Sequence, residues 1–408
     1  MANRIDDYDA VIIGASFAGL AAASQLRDAG RVLLVDREPL GAGETSACGT
    51  LLAVLERLDA LDALEQVHPE IAVNAAGRRI KFEPGYAFAT FDYRTLCEIL
   101  ASRLDGVETA VGTLGGVDAD GALLIGEDRR VRGRVLVDAS GWRAVLAREY
   151  GAPPPDPAHR SVGAELRHDH GGDELEFWLR PDERPDGVFW AFPAGDHTRE
   201  GVASYTGHGA RLRSVLARFI NEESLPSRAV HGGMFTSRLR DPVAGPVFVV
   251  GDAAGQCLPL SGEGIRPALV WGQEAGRQAA RVLRGENSLD AALAAYRDQV
   301  LAHRWQFRIL EWLQARLLQV PRKFLPVAVS LFSQGPSGRA AQRAYWDVAN
   351  PDTLEIAPGV WSGTRATVAQ RAIGRVGDPP PNVISEAPVS HASRCQSLHR
   401  PEVGEARA

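Results

Sequence analysis

The sequence predicts an α/β fold: a nucleotide-binding domain on a parallel sheet, an inserted antiparallel sheet and a C-terminal run of helices. Three observations carry it. First, an apolar strand, a glycine turn, an alanine-rich helix and a second apolar strand follow one another from Tyr8 to Asp36. Second, two later apolar runs, 135–137 and 246–250, end at Asp138 and at Gly251-Asp252, like further strands of one buried sheet. Third, residues 161–240 alternate as antiparallel strands do, with turns at His170-Gly171-Gly172 and Ala194-Gly195-Asp196.

The first unit is the most organised. Ala10 to Ile13 read as a strand buried on both faces, Gly14 permits a tight turn, and Gly19 lets the following helix approach the strand. The first helical turn, with Phe17 and Ala18, offers free N–H groups and a positive dipole end to a pyrophosphate. The helix stops at Gly30, and the second strand ends at Asp36, 22 positions after Gly14, where an acid can bind a ribose hydroxyl; Arg37 follows it. The second glycine of the usual triplet is Ser16, whose Cβ narrows the approach while its hydroxyl can donate to the phosphates. The pattern is that of a Rossmann-like dinucleotide site. An ordinary βαβ unit with a tight turn is the simpler alternative.

Taken in order, the spacing predicts a helix over 51–64, short strands over 71–91, a helix over 92–104 and hairpin strands over 107–131. A Pro-rich crossing follows at 152–157, and a long helix runs from about 264 to 284, with helical segments to about 348. The expected division is a discontinuous nucleotide domain (1–70, 92–160 and 241–290), a substrate domain (71–91 and 161–240) and a helical region (291–350). Residues 351–408 are expected to be mostly disordered tail, above all 379–408, where Pro, Ser, Arg and Gly leave no apolar periodicity.

A net charge of −6 and the lack of a basic, aromatic-interleaved cluster argue against nucleic acid as a partner. The four cysteines are far apart, which suggests neither a disulfide framework nor a zinc site. His168 and His170 read as an exposed turn, so no metal is expected. With neither a signal-peptide pattern nor an apolar run of membrane-spanning length, a cytoplasmic protein is expected, with peripheral membrane contact as a further option. Only Lys81 and Lys323 are lysines, which leaves few candidates for lysine chemistry.

The stretch 251–269, GDAAGQCLPLSGEGIRPAL, is the most specific. A strand delivers Gly251 and Asp252, and the turn Gly262-Glu263-Gly264-Ile265, whose Glu263 is eleven residues after Asp252, opens a helix toward the same crevice. An acid there suits the sugar-alcohol chain of a flavin, and a helix N-terminus stabilises a reduced, anionic ring. The dinucleotide is therefore read as FAD. A glycine-rich loop closing a sheet would explain the glycines, though not the placement of Asp252 and Pro259.

GASFAG at the N-terminus, the GDAAG–P–GEGI block, and PDGVFWAFP over 185–193 together resemble the geranylgeranyl reductase family, part of the wider group of flavoproteins related to para-hydroxybenzoate hydroxylase. The resemblance covers about 8–348. It implies FAD as cofactor and reduction of isolated C=C bonds in isoprenoid chains. It further implies that Asp252 binds the ribityl chain, that Gly262, Gly264 and Ile265 back the flavin ring, and that Trp190, Phe192 and Pro193 line the substrate cavity. Val188 stands where the family motif has a tyrosine. Cys48-Gly49 resembles a Cys-Gly pair near the flavin, which makes Cys48 the candidate catalytic residue, and Arg94 resembles an arginine close to the cofactor. Ser140, Ala144 and Ala147 replace groups that hydroxylase relatives use in handling FAD and NADPH.

The expected activity is reduction of an apolar, isoprenoid or lipid-like substrate, with NAD(P)H or a protein as external electron donor. The rival is a flavin-dependent monooxygenase or halogenase acting on an aromatic natural product, for which Lys81 is the first-half lysine. A flavoprotein that only relays electrons is the third reading.

Overall fold

Strand β1 (Ile5–Ile13) is buried on both faces from Ala10 onward, Ala10 and Ile12 entering one apolar cluster and Val11 and Ile13 another, while both its edges are paired. The structure, a computed structural model, describes residues 4–355 apart from 44, 45, 181, 183, 185, 208, 210 and 222–229. Helix α1 (Phe17–Leu26) and β2 (Val32–Asp36) complete the first βαβ-type unit. Then come β3 (Gly49–Leu51), α2 (Leu52–Arg57), β4 (Leu64–His68), β5 (Ile71–Ala75), β6 (Arg78–Phe82) and β7 (Phe88–Phe91). Asp92 caps α3 (Tyr93–Ala101) by accepting from the Thr95 N–H at 2.7 Å. Strands β8 (Val107–Val111), β9 (Leu114–Val117), β10 (Leu123–Ile125) and β11 (Arg129–Asp138) lead to α4 (Val145–Glu149).

The second half opens with β12 (Arg160–His168), β13 (Leu175–Leu179), β14 (Gly187–Ala194) and β15 (His197–Ser204). Helix α5 (Leu212–Phe219), β16 (Val230–Thr236), β17 (Val243–Ala244) and β18 (Val247–Val249) follow. The helical end comprises α6 (Ile265–Leu283), α7 (Leu289–Leu301), α8 (Arg304–Leu317), α9 (Leu325–Ser333) and α10 (Gly335–Asp347).

Among the described residues three sheets form. The first runs β17-β18-β11-β1-β2-β8, with β1, β2, β8, β11 and β18 parallel and β9–β10 added as a hairpin. The second runs β16-β12-β15-β14-β13-β5-β6 and is antiparallel except where β13 meets β5. The third is small, β3-β7-β4. This is the α/β architecture that the sequence predicts, with its antiparallel insert and C-terminal helices.

Three local expectations need correction. The helix predicted over 51–64 ends at Arg57; Asp59 turns left-handed (φ 49°), and Leu64 to His68 become a strand because β7 offers them an edge. Residues 88–91, grouped by the sequence with 71–82, pair with β3 and β4 instead of the large antiparallel sheet. Helix α5 went unread; its Leu212, Val215 and Leu216 bury against Phe189 and Val202 on one face of that sheet. Of the stretch expected to be tail, Pro351 and Leu354 are buried, while 356–408, like Pro185 of the aromatic motif, lie outside the described residues.

Helices α1 and α6 lie backbone to backbone. A Cβ on Gly272 would stand 2.5 Å from the Ala18 carbonyl oxygen, and one on Gly276 2.4 Å from that of Ala22. Two glycines one turn apart thus bring the N-terminal helix against the helix that follows Asp252.

Candidate functional site

The two glycine turns meet at the C-terminal ends of the parallel strands, where ligands of such sheets bind. Gly14 (φ +106°) packs so closely on 139–140 that a Cβ would lie 2.2 Å from the Ala139 carbonyl oxygen, and Gly19 would meet that of Gly14 at 1.8 Å. Gly251 (φ +61°) faces α1, with 3.1 Å between its would-be Cβ and that of Ala18. The stretch after β11 serves this contact. Buried Asp138 accepts hydrogen bonds from the Ser140 N–H (2.9 Å), Ser140 Oγ (2.6 Å) and Ala147 N–H (2.7 Å), fixing the turn against which Gly14 rests. Ser140 and Ala147 thus have a structural use here, independent of any cofactor role.

Asp36 does two jobs. Its Oδ2 accepts from the Ala15 N–H at 2.6 Å, and Oδ1 accepts from the Glu38 N–H at 3.1 Å, so it locks the glycine turn while lone pairs remain for a sugar hydroxyl. Arg37 is exposed beside it. Ser16 occupies the N-cap position of α1 without capping it: its hydroxyl lies 3.1 Å from Tyr93 Oη, and the first-turn N–H groups are left for an anion. Tyr93, which also packs edge-on to Phe17 at 5.2 Å, is a site residue that the sequence reading missed. The signal was there in its place in the first turn of the helix that carries Arg94. Arg94 itself is exposed and lies over Gly41, its Cγ 3.2 Å from a would-be Cβ there.

Asp252 follows Gly251 at the end of β18, and its carboxyl makes no hydrogen bond among the described residues. Burial pushes it up to about 6. It sits beside the N-cap of α6, its Oδ1 3.7 Å from a would-be Cβ on Gly264. A desolvated acid with unused acceptors next to a helix N-terminus fits a polyhydroxy chain leading to a flavin ring. Pro259, Gly262 (φ +69°) and Ile265 form the rest of the turn.

The C-terminal helices, given no role by the sequence reading, hold that turn. Gln314 of α8 accepts from the Leu260 N–H at 2.8 Å, and Tyr205 donates to the Leu260 carbonyl at 3.0 Å. Fully buried Arg266 donates to both carboxylate oxygens of Glu263 (2.7 and 2.8 Å) and to the carbonyls of Val348 and Ala349. Tyr345 of α10 donates to Glu263 Oε2 at 2.6 Å, and its ring lies under the Arg266 guanidinium.

The second half of the site is an aromatic wall. Phe192 stands edge-on to Phe88 (5.8 Å) and Phe177 (5.3 Å), and Trp190 is 6.4 Å away. The small sheet brings Cys48 and Gly49 to it: a Cβ on Gly49 would lie 2.5 Å from Phe88 and 2.9 Å from Phe192. Cys48 is buried in a left-handed conformation (φ 51°), its thiol donating to the Ser46 carbonyl at 3.3 Å. Pro193 is held by its carbonyl, which accepts from Thr90 Oγ1 (2.7 Å) and His68 Nε2 (3.0 Å). Burial holds His68 near a pKa of about 4 and hence neutral.

The wall has a polar corner that the sequence did not reveal. Trp190 lies flat across Gly201, where a Cβ would come within 2.0 Å of its ring, and donates from Nε1 to Glu165 Oε2 at 2.6 Å. Glu165 is buried, with His231 Nε2 at 3.2 Å and Arg199 at 3.9 Å. Cross-strand register puts Glu165 opposite Gly201 and His231, which a single sequence does not disclose.

No family model matches the chain. It is 25% identical over 358 residues to the digeranylgeranylglycerophospholipid reductase of Methanocaldococcus jannaschii, covering 76% of this chain and 85% of that protein. With digeranylgeranylglycerophospholipid reductase 2 of Methanopyrus kandleri it shares 28% identity over 335 residues, 72% and 82% of the two chains. A solved geranylgeranyl bacteriochlorophyll reductase-like protein from Thermoplasma acidophilum superimposes with a TM-score of 0.74 at 18% identity, over 86% of this chain and 98% of that one. The chain is a FAD-dependent oxidoreductase similar to the geranylgeranyl reductases. The fold is not exclusive to these reductases: a flavin-dependent brominase matches at a TM-score of 0.63 and 18% identity, over 91% of this chain and 99% of that one. Its cofactor is FAD, and the two glycine turns with Asp36 and Asp252 are the candidate holders.

Proposed function

We propose that this protein reduces carbon–carbon double bonds of an apolar, isoprenoid or lipid-like substrate. One observation carries the reading. The small sheet presses Cys48-Gly49 against the Phe88–Phe177–Phe192 group, and its Phe91 packs on Phe17 of α1, so an aromatic group adjoins the nucleotide turn. Such a surface gains about 0.8 kcal/mol for each CH₂ it takes from water, with no need of a charged anchor. The names of the curated relatives, reductases of digeranylgeranyl lipids, support the same substrate class.

When bound and reduced, FAD supplies the hydride. The α1 N-terminus and Asp36 would hold the nucleotide end, Asp252 the polyol, and the α6 turn would back the ring. Gly49 lets Phe88 and Phe192 close against the Cys-Gly turn, and the aromatic rings would keep water from the reacting carbons. Saturating an alkene also requires a proton on the second carbon, and the buried Cys48 thiol is our candidate donor. The reductant that recharges the cofactor is assigned to NAD(P)H.

Lys81 counts against the halogenase reading: it lies on edge strand β6 in an ion pair with Glu174. An anaerobic experiment separates the two readings. Enzyme reduced chemically in D₂O is given geranylgeranyl lipid, and product is examined by mass spectrometry. Reoxidation of the flavin without O₂, with deuterium in a saturated product, is expected. A requirement for O₂ and a new oxygen or halogen in the product would overturn the proposal.

A further inference from the structure

We propose that α8 and the segment leading through α9 form a docking face for an anionic lipid surface. The observation is a run of large apolar side chains left in solvent. On α8 these are Trp305 (53% exposed), Ile309 and Trp312 (57%), spaced three and four residues apart and so on one side of the helix. Phe324, Val327 and Leu331 (60%), with Phe332, continue the exposure through α9. Single exposed apolar residues need no explanation, whereas seven within 28 positions (305–332) do.

The charge between them selects the occupant. The chain carries −6 overall, yet 304–323 holds five cations (Arg304, Arg308, Arg316, Arg322, Lys323) against one acid, Glu311. Two of them sit on the aromatic rings themselves: Arg316 lies over Trp312 at 5.5 Å and Lys323 over Phe324 at 5.1 Å. Arg304 and Arg308, with Arg238, line a cleft of about 240 Å³ beside the start of α8, and neither donates a hydrogen bond among the described residues. Tryptophans and cations interleaved on one helix side match the boundary of a bilayer, where rings enter the acyl edge and guanidinium groups meet phosphates.

Other occupants fit less well. A second copy meeting this face symmetrically would set its cations against themselves. Residues 356–408 carry six arginines against four acids, so they too would bring net positive charge to a cationic face. No described helix is long and apolar enough to cross a membrane, so contact here means lying on the surface.

The test reads vesicle binding without turnover and so stands or falls apart from the reductase reading. Full-length protein is sedimented with vesicles of phosphatidylcholine alone and of phosphatidylcholine mixed with phosphatidylglycerol, at low and high salt. The expected result is binding at least about tenfold tighter to the mixed vesicles, weakened by salt. Trp312→Glu combined with Leu331→Glu should abolish binding, and Arg308→Glu combined with Arg316→Glu should remove the preference for anionic lipid. FAD content should stay within about twofold in both, because these side chains are exposed. The proposal is overturned if wild type stays in the supernatant with mixed vesicles, or if both variants bind as it does. It is also overturned if Trp312→Glu dissolves a dimer in analytical ultracentrifugation, since a second copy then covers the face.

Discussion

The parallel and antiparallel sheets contribute to one site in opposite ways. On the parallel sheet the candidate surface is backbone: turns after β1 and β18 in which Gly14, Gly19 and Gly251 let the chain close on Ala139, Gly14 and Ala18. On the antiparallel sheet it is side chain: Phe177, Trp190 and Phe192, assembled by register across two strands and completed from the small sheet. A backbone site fails when a Cβ is added. A side-chain wall fails when its neighbours shift, and the two failures should be separable.

The largest effect should separate them directly. Gly14→Val places a branched side chain at positive φ against the Ala139 carbonyl, so we expect a loss of about 3–5 kcal/mol and no retained FAD. Gly49→Val intrudes on Phe88 and Phe192 instead. It should keep the bound-flavin spectrum and lower turnover roughly a hundredfold. Flavin absorbance and steady-state kinetics on the two variants check both, and loss of FAD from Gly49→Val would erase the distinction.

Asp252 sharpens the comparison on the backbone side. Its folded pKa, about 6, lies above the ordinary 3.8, so the stability it contributes is complete below pH 4 and lost as pH rises through 6. Apo Asp252→Asn should therefore be more stable than wild type by up to about 3 kcal/mol at pH 8, and gain little at pH 4. The same variant should release FAD faster. Urea denaturation of apo-protein at the two pH values, with the flavin off-rate, tests this pairing.

A smaller, opposite slope belongs to the wall. His68 has a folded pKa of about 4 against 6.5, so its contribution is complete above 6.5 and lost as pH falls through 4. By pH 5 wild type should have lost about 2 kcal/mol on this account, and His68→Gln should flatten that part of the curve. An unchanged acid limb in the variant would remove His68 from the support of Pro193.

The same difference explains what could be read from the sequence. Backbone sites are local: Gly14, Asp36, Gly251 and Asp252 stand at fixed spacings, and the structure sets all four around one crevice. The wall is non-local. Trp190 and Phe192 were found through their motif, but Glu165 beneath the indole and His68 behind Pro193 depend on pairings between strands far apart in sequence. The predicted helix over 51–64 failed for the same reason, because leucine spacing alone does not show that β7 has a free edge. Tyr93 and the Gly272–Gly276 pair were legible and went unread.

The clasp between Arg266 and the end of α10 has a bearing on synthesis. Arg266 reaches the carbonyls of Val348 and Ala349, 83 positions later (349 − 266). At about 5–20 residues per second a ribosome needs roughly 4–17 s to make that stretch. Throughout that interval the growing chain has both glycine turns but not the groups that close the second one. A chain truncated before α10 would keep both glycine turns yet lack Tyr345, Val348 and Ala349, the partners of Glu263 and Arg266.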